Sequence, residues 1–99
     1  MTLKEATRGI IPQINNVDDF HKACRCHFAK WYAEHMQKAI EYGDTFIVWS
    51  CKTLQNYKAI VACNVREDAI LAEYTYNGDK HELYADHYQK LTNECITEL

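Results

Sequence analysis

Hydrophobic residues recur at helical spacing through the first half of the chain, between residues 17 and 42. No glycine or proline interrupts this segment, and Gly43 follows it as a helix stop. Asn16 precedes it as an N-cap, and acidic residues occupy the first turn, where the helix dipole favours negative charge. The pattern predicts one helix of about 25 residues, long enough to cross a whole sheet. Its core-facing stripe is predicted to comprise Phe20, Cys24, Phe28, Trp31, His35, Ala39 and Tyr42, flanked by Tyr32, Met36 and Ile40.

After Gly43 the spacing changes to dense runs of β-branched and aromatic residues, which are typical of strands. Four such runs follow one another, at residues 44–53, 56–65, 66–76 and 76–85. Asn77-Gly78 favours a two-residue turn between the last two, with both central residues at positive φ. The predicted fold class is therefore α+β, with one long N-terminal helix packed on a four-stranded antiparallel meander sheet in a single domain of residues 1–99.

The carboxyl end returns to helical spacing. The residues that carry this pattern are Tyr84, Tyr88, Leu91, Cys95 and Leu99. They predict a C-terminal helix over residues 85–99, and a fifth strand through Tyr88 is the alternative.

The Asn77-Gly78 turn also predicts the pairing of the second hairpin. Tyr74 is expected to face His81 on an apolar side that meets the helix. Leu71 is expected to face Tyr84 on the opposite side of the sheet.

The first hairpin is apolar on both faces. With a turn at Gln55-Asn56, one face is predicted to carry Phe46, Val48, Val61, Cys63 and Val65, and the other Ile47, Trp49, Cys51, Ile60 and Ala62. A sheet covered on one side only is expected to be polar on its other side. Either the terminal helix or another protein is therefore expected to cover the second face.

Composition narrows the functional classes. The net charge is −3, and the 11 basic residues are scattered among 14 acidic ones. Nucleic-acid binding depends on clustered lysine and arginine, so it is not expected. No apolar run approaches the roughly 20 residues of a membrane span, and no secretory signal pattern begins the chain. Five cysteines, an odd number without framework spacing, favour a reducing, cytoplasmic location.

The densest group of reactive side chains is Cys24-Arg25-Cys26-His27. On one helix Cys24 and Cys26 point about 200° apart, so both cannot bind one metal ion. Cys26, flanked by basic residues, is the best thiol candidate but lies in the middle of the helix. His81 and His87 lie near carboxylates, a pattern more typical of a solvated surface than of an acid–base pair. No catalytic residue, metal site or cofactor is predicted.

The interpretation that follows is a non-enzymatic protein-binding module, either a regulator or an inhibitor of a partner protein, that self-associates as a homodimer. A virus-encoded, host-directed accessory factor is one form this could take. Aromatic residues dominate interfaces, and the predicted partner-binding residues are Ile47, Trp49, Cys51, Ile60, Leu71 and Tyr84. The alternative is a small enzyme or ligand-binding domain with a pocket between helix and sheet, formed by Trp31, His35, Tyr74 and His81.

Overall fold

A computed structural model describes residues 11–99. Along the chain it contains helix α1 (Val17–His35), a 3-10 turn (Tyr42–Asp44), and strands β1 (Thr45–Thr53), β2 (Asn56–Cys63), β3 (Ile70–Asn77) and β4 (Glu82–Gln89). The four strands form one antiparallel sheet in the order β1-β2-β3-β4. The predicted α+β meander is confirmed.

Helix α1 begins where the sequence predicts, but it ends one and a half to two turns before its predicted end. The Asn16 side chain accepts a hydrogen bond from the Asp19 backbone N–H at 2.8 Å, as expected of an N-cap. At the other end Gln37 adopts a left-handed conformation, with φ of 54°, and turns the chain away. The predicted extension to Tyr42 is therefore wrong, and α1 has 19 residues. His35, Ala39 and Tyr42, which were predicted to face the core, are exposed.

The first hairpin turns at Leu54-Gln55, because Thr53 pairs with Asn56. Its register shifts between Ile47 and Trp49, where β1 carries one extra residue. Such a bulge moves the residues on one side of it to the opposite face of the sheet. The predicted division of β1 into two faces is consequently correct for the residues that follow the bulge and wrong for those that precede it.

The second hairpin has a wider loop than the predicted two-residue turn. Asn77 pairs with Glu82, so residues 78–81 form the loop. The Asn77 side chain accepts hydrogen bonds from the backbone N–H groups of Asp79 (3.0 Å) and Lys80 (3.3 Å), a side-chain-stabilised turn that competes with the tighter one. The predicted pairing of Tyr74 with His81 is therefore wrong by four residues, and Ala85 faces Tyr74 instead.

Gly78 is required in this loop because there is no room for a side chain. A Cβ added there would lie 2.1 Å from the backbone oxygen of Gln55, in the turn of the first hairpin. The two turns are also joined by hydrogen bonds, from the Gln55 side chain to Asp79 at 2.6 Å and from the Gly78 N–H to Asn56 at 3.1 Å. The glycine thus allows the two hairpin tips to pack against each other.

The predicted C-terminal helix is absent. Residues 85–89 belong to β4, and residues 90–99 form neither helix nor strand. Leu91 is 97% exposed, so the apolar residues at helical spacing have no surface to cover. A short helix is only marginally stable in water without such packing. The fifth-strand alternative fails as well, because Tyr88 lies in β4 itself.

The core lies between α1 and one face of the sheet. Helix α1 packs mainly over β1 and β2. Its Phe20, Phe28 and Tyr32 are fully buried against Val61 and Tyr74 of the sheet. Aromatic contacts join the layers, for example Phe20 with Tyr57 at 5.2 Å between ring centroids.

A polar contact attaches the β2–β3 connection to α1. The buried Tyr32 hydroxyl donates a hydrogen bond to Asp68, and the Lys38 ammonium contacts the same carboxylate at 2.9 Å. These two donors hold the pKa of Asp68 below its usual value. Burial, and then the bond to Asp68, raise the pKa of the Tyr32 hydroxyl.

We expect Tyr32→Phe to lower the urea midpoint of unfolding more than Lys38→Met does. The phenylalanine leaves Asp68 without the hydrogen bond made inside the core, whereas Lys38 is a half-exposed partner of the kind that contributes little. Equilibrium unfolding followed by circular dichroism measures both. Equal midpoints for the two variants would contradict the assignment.

Candidate protein-binding surface

The face of the sheet that points away from α1 is here called the open face. Among the described residues nothing covers it, and several of its large side chains are about half exposed. Cross-strand pairing places Phe46, Ala62, Leu71 and Tyr88 in one row across all four strands. Trp49 and Ile60 occupy the adjoining row. These six residues, from Phe46 to Tyr88, are called the apolar patch below.

The other part of the open face is polar. Lys58 of β2 pairs with Glu73 of β3 at 3.1 Å. Glu73 also stands directly opposite Asp86 of β4, and Tyr84 donates a hydrogen bond to Glu82. The apolar patch is therefore bordered by charge on one side, the arrangement found at protein interfaces.

Five of the six predicted partner-binding residues lie on the open face: Trp49, Cys51, Ile60, Leu71 and Tyr84. Ile47 does not, because the bulge turns it towards α1, where it packs against the core. For the same reason Phe46, predicted to share a face with Val61, lies on the open face instead. Sequence reasoning also missed Tyr88, since the C-terminal segment containing it was assigned to a helix.

The four predicted pocket residues do not come together. Trp31 and His35 stack on each other at 4.7 Å between ring centroids, on the last turns of α1. Tyr74 is fully buried, and His81 lies in the β3–β4 loop, hydrogen-bonded to the Tyr76 hydroxyl at 2.7 Å. The predicted pocket is therefore replaced by packed side chains.

His87, rather than His81, is the histidine of the sheet that lies beside Trp31. Its ring stacks on the Trp31 ring at 3.8 Å between centroids and 11° between planes. The shifted register places His87 opposite Ala72 on the helix side of the sheet, whereas Ala85 takes the position opposite Tyr74 that was predicted for His81. His87 Nε2 is buried and has no hydrogen-bond partner among the described residues.

Two histidines of α1 lie close to the stacked His87 and Trp31 rings. His27 contacts the Tyr74 hydroxyl through Nδ1 at 2.8 Å and lies 6.0 Å from His87, and His35 stacks on the far part of Trp31. Burial lowers the pKa of His87, and the charges that His27 and His35 would carry lower it further, against the opposing effect of Asp86. Burial also lowers the pKa of His27. His87 and His27 are therefore neutral at pH 7.

We expect the free energy of unfolding to fall as the pH drops below about 6.5 towards 5. The pKa of His87 is lower in the folded than in the unfolded chain, so the unfolded state binds more protons throughout that window. Stability is then fully present above 6.5 and is lost on acidification. Urea unfolding at a series of pH values measures this dependence.

His87→Phe is the matched control, since it retains an aromatic ring against Trp31 and cannot be protonated. Its stability should depend less steeply on pH over the same window. His21 and His27 retain their own dependence, because burial lowers the pKa of each. An unchanged slope in this variant would show that His87 is not a source of the effect.

The Cys24–His27 segment has structural roles. Cys24 is buried and Cys26 exposed, as the 200° separation predicts. Arg25 donates hydrogen bonds to Thr45 Oγ1 and to the Thr45 carbonyl, both at 2.9 Å, and lies over the Tyr42 ring at 4.0 Å. Over residues 11–99, no three histidine, cysteine, aspartate or glutamate side chains form a group that could hold a metal ion.

A hydroxyl–imidazole pair lies between α1 and β1. His21 Nε2 contacts Ser50 Oγ at 2.8 Å, the distance at which a base activates a nucleophile. Within the described part of the chain no carboxylate is hydrogen-bonded to the other ring nitrogen of His21. Because that orienting partner is missing from the described residues, we interpret the His21–Ser50 hydrogen bond as a structural contact between α1 and β1.

An open cleft of about 360 Å³ lies at the hairpin tips, next to the loop that precedes α1. Its walls include Asn15, Lys52, Gln55 and Tyr57. None of the predicted pocket residues lines it. No helix in the described portion is both long and apolar enough to cross a bilayer.

Comparisons with other proteins give one result. Neither the curated proteins nor the solved structures include a match to this chain. A family model matches residues 21–98, from the first turns of α1 through all four strands into the C-terminal segment. The match covers 78 of the 99 residues. The chain therefore belongs to DUF6275, a family of unknown function.

Proposed function

We propose that this protein is a self-associating, protein-binding module, and that two copies pack the open faces of their sheets together as a homodimer. The observation that carries the proposal is the apolar patch, in which Phe46, Trp49 and Tyr88 are 48%, 49% and 51% exposed. Sheets that pack face to face bury side chains of this kind between layers about 10 Å apart.

A second copy suits the patch because a two-fold axis can place the patch against itself. The row from Phe46 to Tyr88 then meets its copy at the centre. Glu73 and Asp86 continue the row of Trp49 and Ile60, so the two sheets must be offset for these charges to stay hydrated at the rim. The aromatic side chains provide anchors of the kind that dominate interface energetics.

The area is sufficient for a reversible dimer. Four strands about 4.8 Å apart and about seven residues long present on the order of 450 Å² per face, so complete overlap of two open faces would bury roughly 900 Å² and is the upper bound. Specific, stable interfaces usually bury about 1,200–2,000 Å², so this area lies below that range, among weak and transient interfaces. We therefore expect a dimer that dissociates on dilution into the micromolar range.

Sedimentation equilibrium over a range of concentrations tests the proposal. The expected result is a mass that rises from 11.6 kDa, the mass of one chain, towards twice that value. A constant monomer mass up to hundreds of micromolar would overturn it. The cysteines are unpaired, and we place the protein in a reducing cytoplasm on that basis, so a reductant belongs in the buffer.

Regulation or inhibition of a partner protein remains a prediction from the sequence. The open face supports it to the extent that a weak dimer can exchange one copy for another protein with a similar apolar surface.

A further inference from the structure

Strand β4 is an edge of the sheet and lacks the bulge, proline and lysine that often protect an edge, although it carries the acidic Glu82 and Asp86. The other edge, β1, carries the bulge after Ile47, which interrupts a regular hydrogen-bonding edge. Strand β4 pairs with β3 over eight consecutive residues without irregularity. Its sequence, ELYADHYQ, contains neither proline nor lysine, the residues that commonly block strand addition.

The outer edge of β4 is also uncovered among the described residues. The backbone hydrogen bonds made outside helices and strands involve none of its residues, and the nearest one joins Lys90 to Ala69. Helix α1 packs mainly over β1 and β2, at the other side of the sheet. An edge strand in this state presents unpaired N–H and C=O groups to any extended chain.

Charge indicates what kind of strand fits. Glu73 and Asp86 are a directly opposed pair of like charges, which destabilises a sheet. Lys58 neutralises Glu73 on the β2 side, whereas Asp86 makes no ion pair with a described residue. A cation on the vacant side of β4 would relieve this repulsion.

We propose that the β4 edge binds an extended segment of a partner protein as a fifth, antiparallel strand. The segment carries lysine or arginine opposite Asp86, with apolar residues two positions away on either side, opposite Tyr84 and Tyr88. Backbone hydrogen bonds give the affinity and the alternate side chains give the specificity. The backbone edge of β4 points out of the sheet, whereas Tyr88 also belongs to the apolar patch that the proposed homodimer covers, so we expect the segment to bind the monomer.

The probe is a synthetic peptide, Thr-Val-Thr-Lys-Thr-Val-Thr, added to the full chain and followed through the backbone amide resonances. Two N-methylated versions, each methylated on one of the two alternating sets of residues, complete the design. In an added strand only one set of residues directs its backbone N–H groups towards β4. The version methylated on that set should bind at least tenfold more weakly than the unmodified peptide, and the other version should bind about equally. The shifted resonances should belong to residues 82–89.

Asp86→Lys is the matched variant. It should weaken the lysine peptide at least fivefold, and a peptide with glutamate at the centre should regain the lost affinity. Equal binding of the two methylated peptides, or shifts confined to the open face, would overturn the proposal. So would amide protection of β4 that increases with protein concentration in the absence of peptide, since that result assigns the edge to a second copy.

Discussion

Trp49→Glu is expected to convert the homodimer into folded monomers. Trp49 lies on the open face, half exposed, next to Ile60 and Phe46. In a face-to-face dimer the glutamate would be placed in an apolar layer without a counter-ion, which costs several kcal/mol. That cost exceeds what an interface of roughly 900 Å² can offset. Sedimentation equilibrium should give the monomer mass at every concentration.

The monomer should retain its fold, because the substituted side chain is not part of the core between α1 and the sheet. Circular dichroism and urea unfolding check this point. Leu54→Glu is the matched control, since Leu54 is a highly exposed apolar residue in the first hairpin turn, away from the apolar patch. It should leave the dimer unchanged. Dissociation by both variants, or a dimer that survives Trp49→Glu, would contradict the interface.

Phe28→Ala is expected to destabilise the fold by about 3–5 kcal/mol, as usual for a large aromatic removed from a core. Phe28 is fully buried and contacts the rings of Trp31, Tyr32 and His87. Domains of this size are stable by only about 5–15 kcal/mol. The variant should therefore have a much lower urea midpoint, or be partly unfolded at room temperature.

Tyr88→Ala is the comparison on the other side of the same sheet. Tyr88 is half exposed on the open face, so its truncation should change the stability of the monomer far less than Phe28→Ala does. Both variants are best measured at low concentration, where dimerisation contributes little. Similar losses from both would show that the open face is part of a core.

The division of the sheet into two faces was largely predictable. In the second hairpin the predicted pairing was wrong by four residues, yet Ile70, Ala72, Tyr74 and Tyr76 were assigned to the correct face. Side chains alternate with a period of two, so a shift by an even number preserves the faces. In β1 the bulge adds a single residue, and the faces of Phe46 and Ile47 are exchanged.

The residues of the candidate site were also predictable only where alternation along a strand is regular. Trp49 and Ile60 could be assigned to it from alternation alone, since both lie between the bulge and the turn. Tyr88 could not, because the same residues fit helical spacing and a strand equally well. His87 became the partner of Trp31 only because the loop of the second hairpin is four residues long.

The sequence by itself determined the types of α1 and of the four strands, the core face of α1 from Phe20 to Tyr32, and the excess of apolar surface on the first hairpin, because periodicity and composition are local properties. The tertiary structure alone decided the end of α1, the register of both hairpins, the irregular C-terminal segment and a β4 edge that no residue of 11–99 covers. Each of these depends on contacts between residues distant along the chain. For Gly78 the contact is with the backbone of Gln55, which the sequence around Gly78 does not predict.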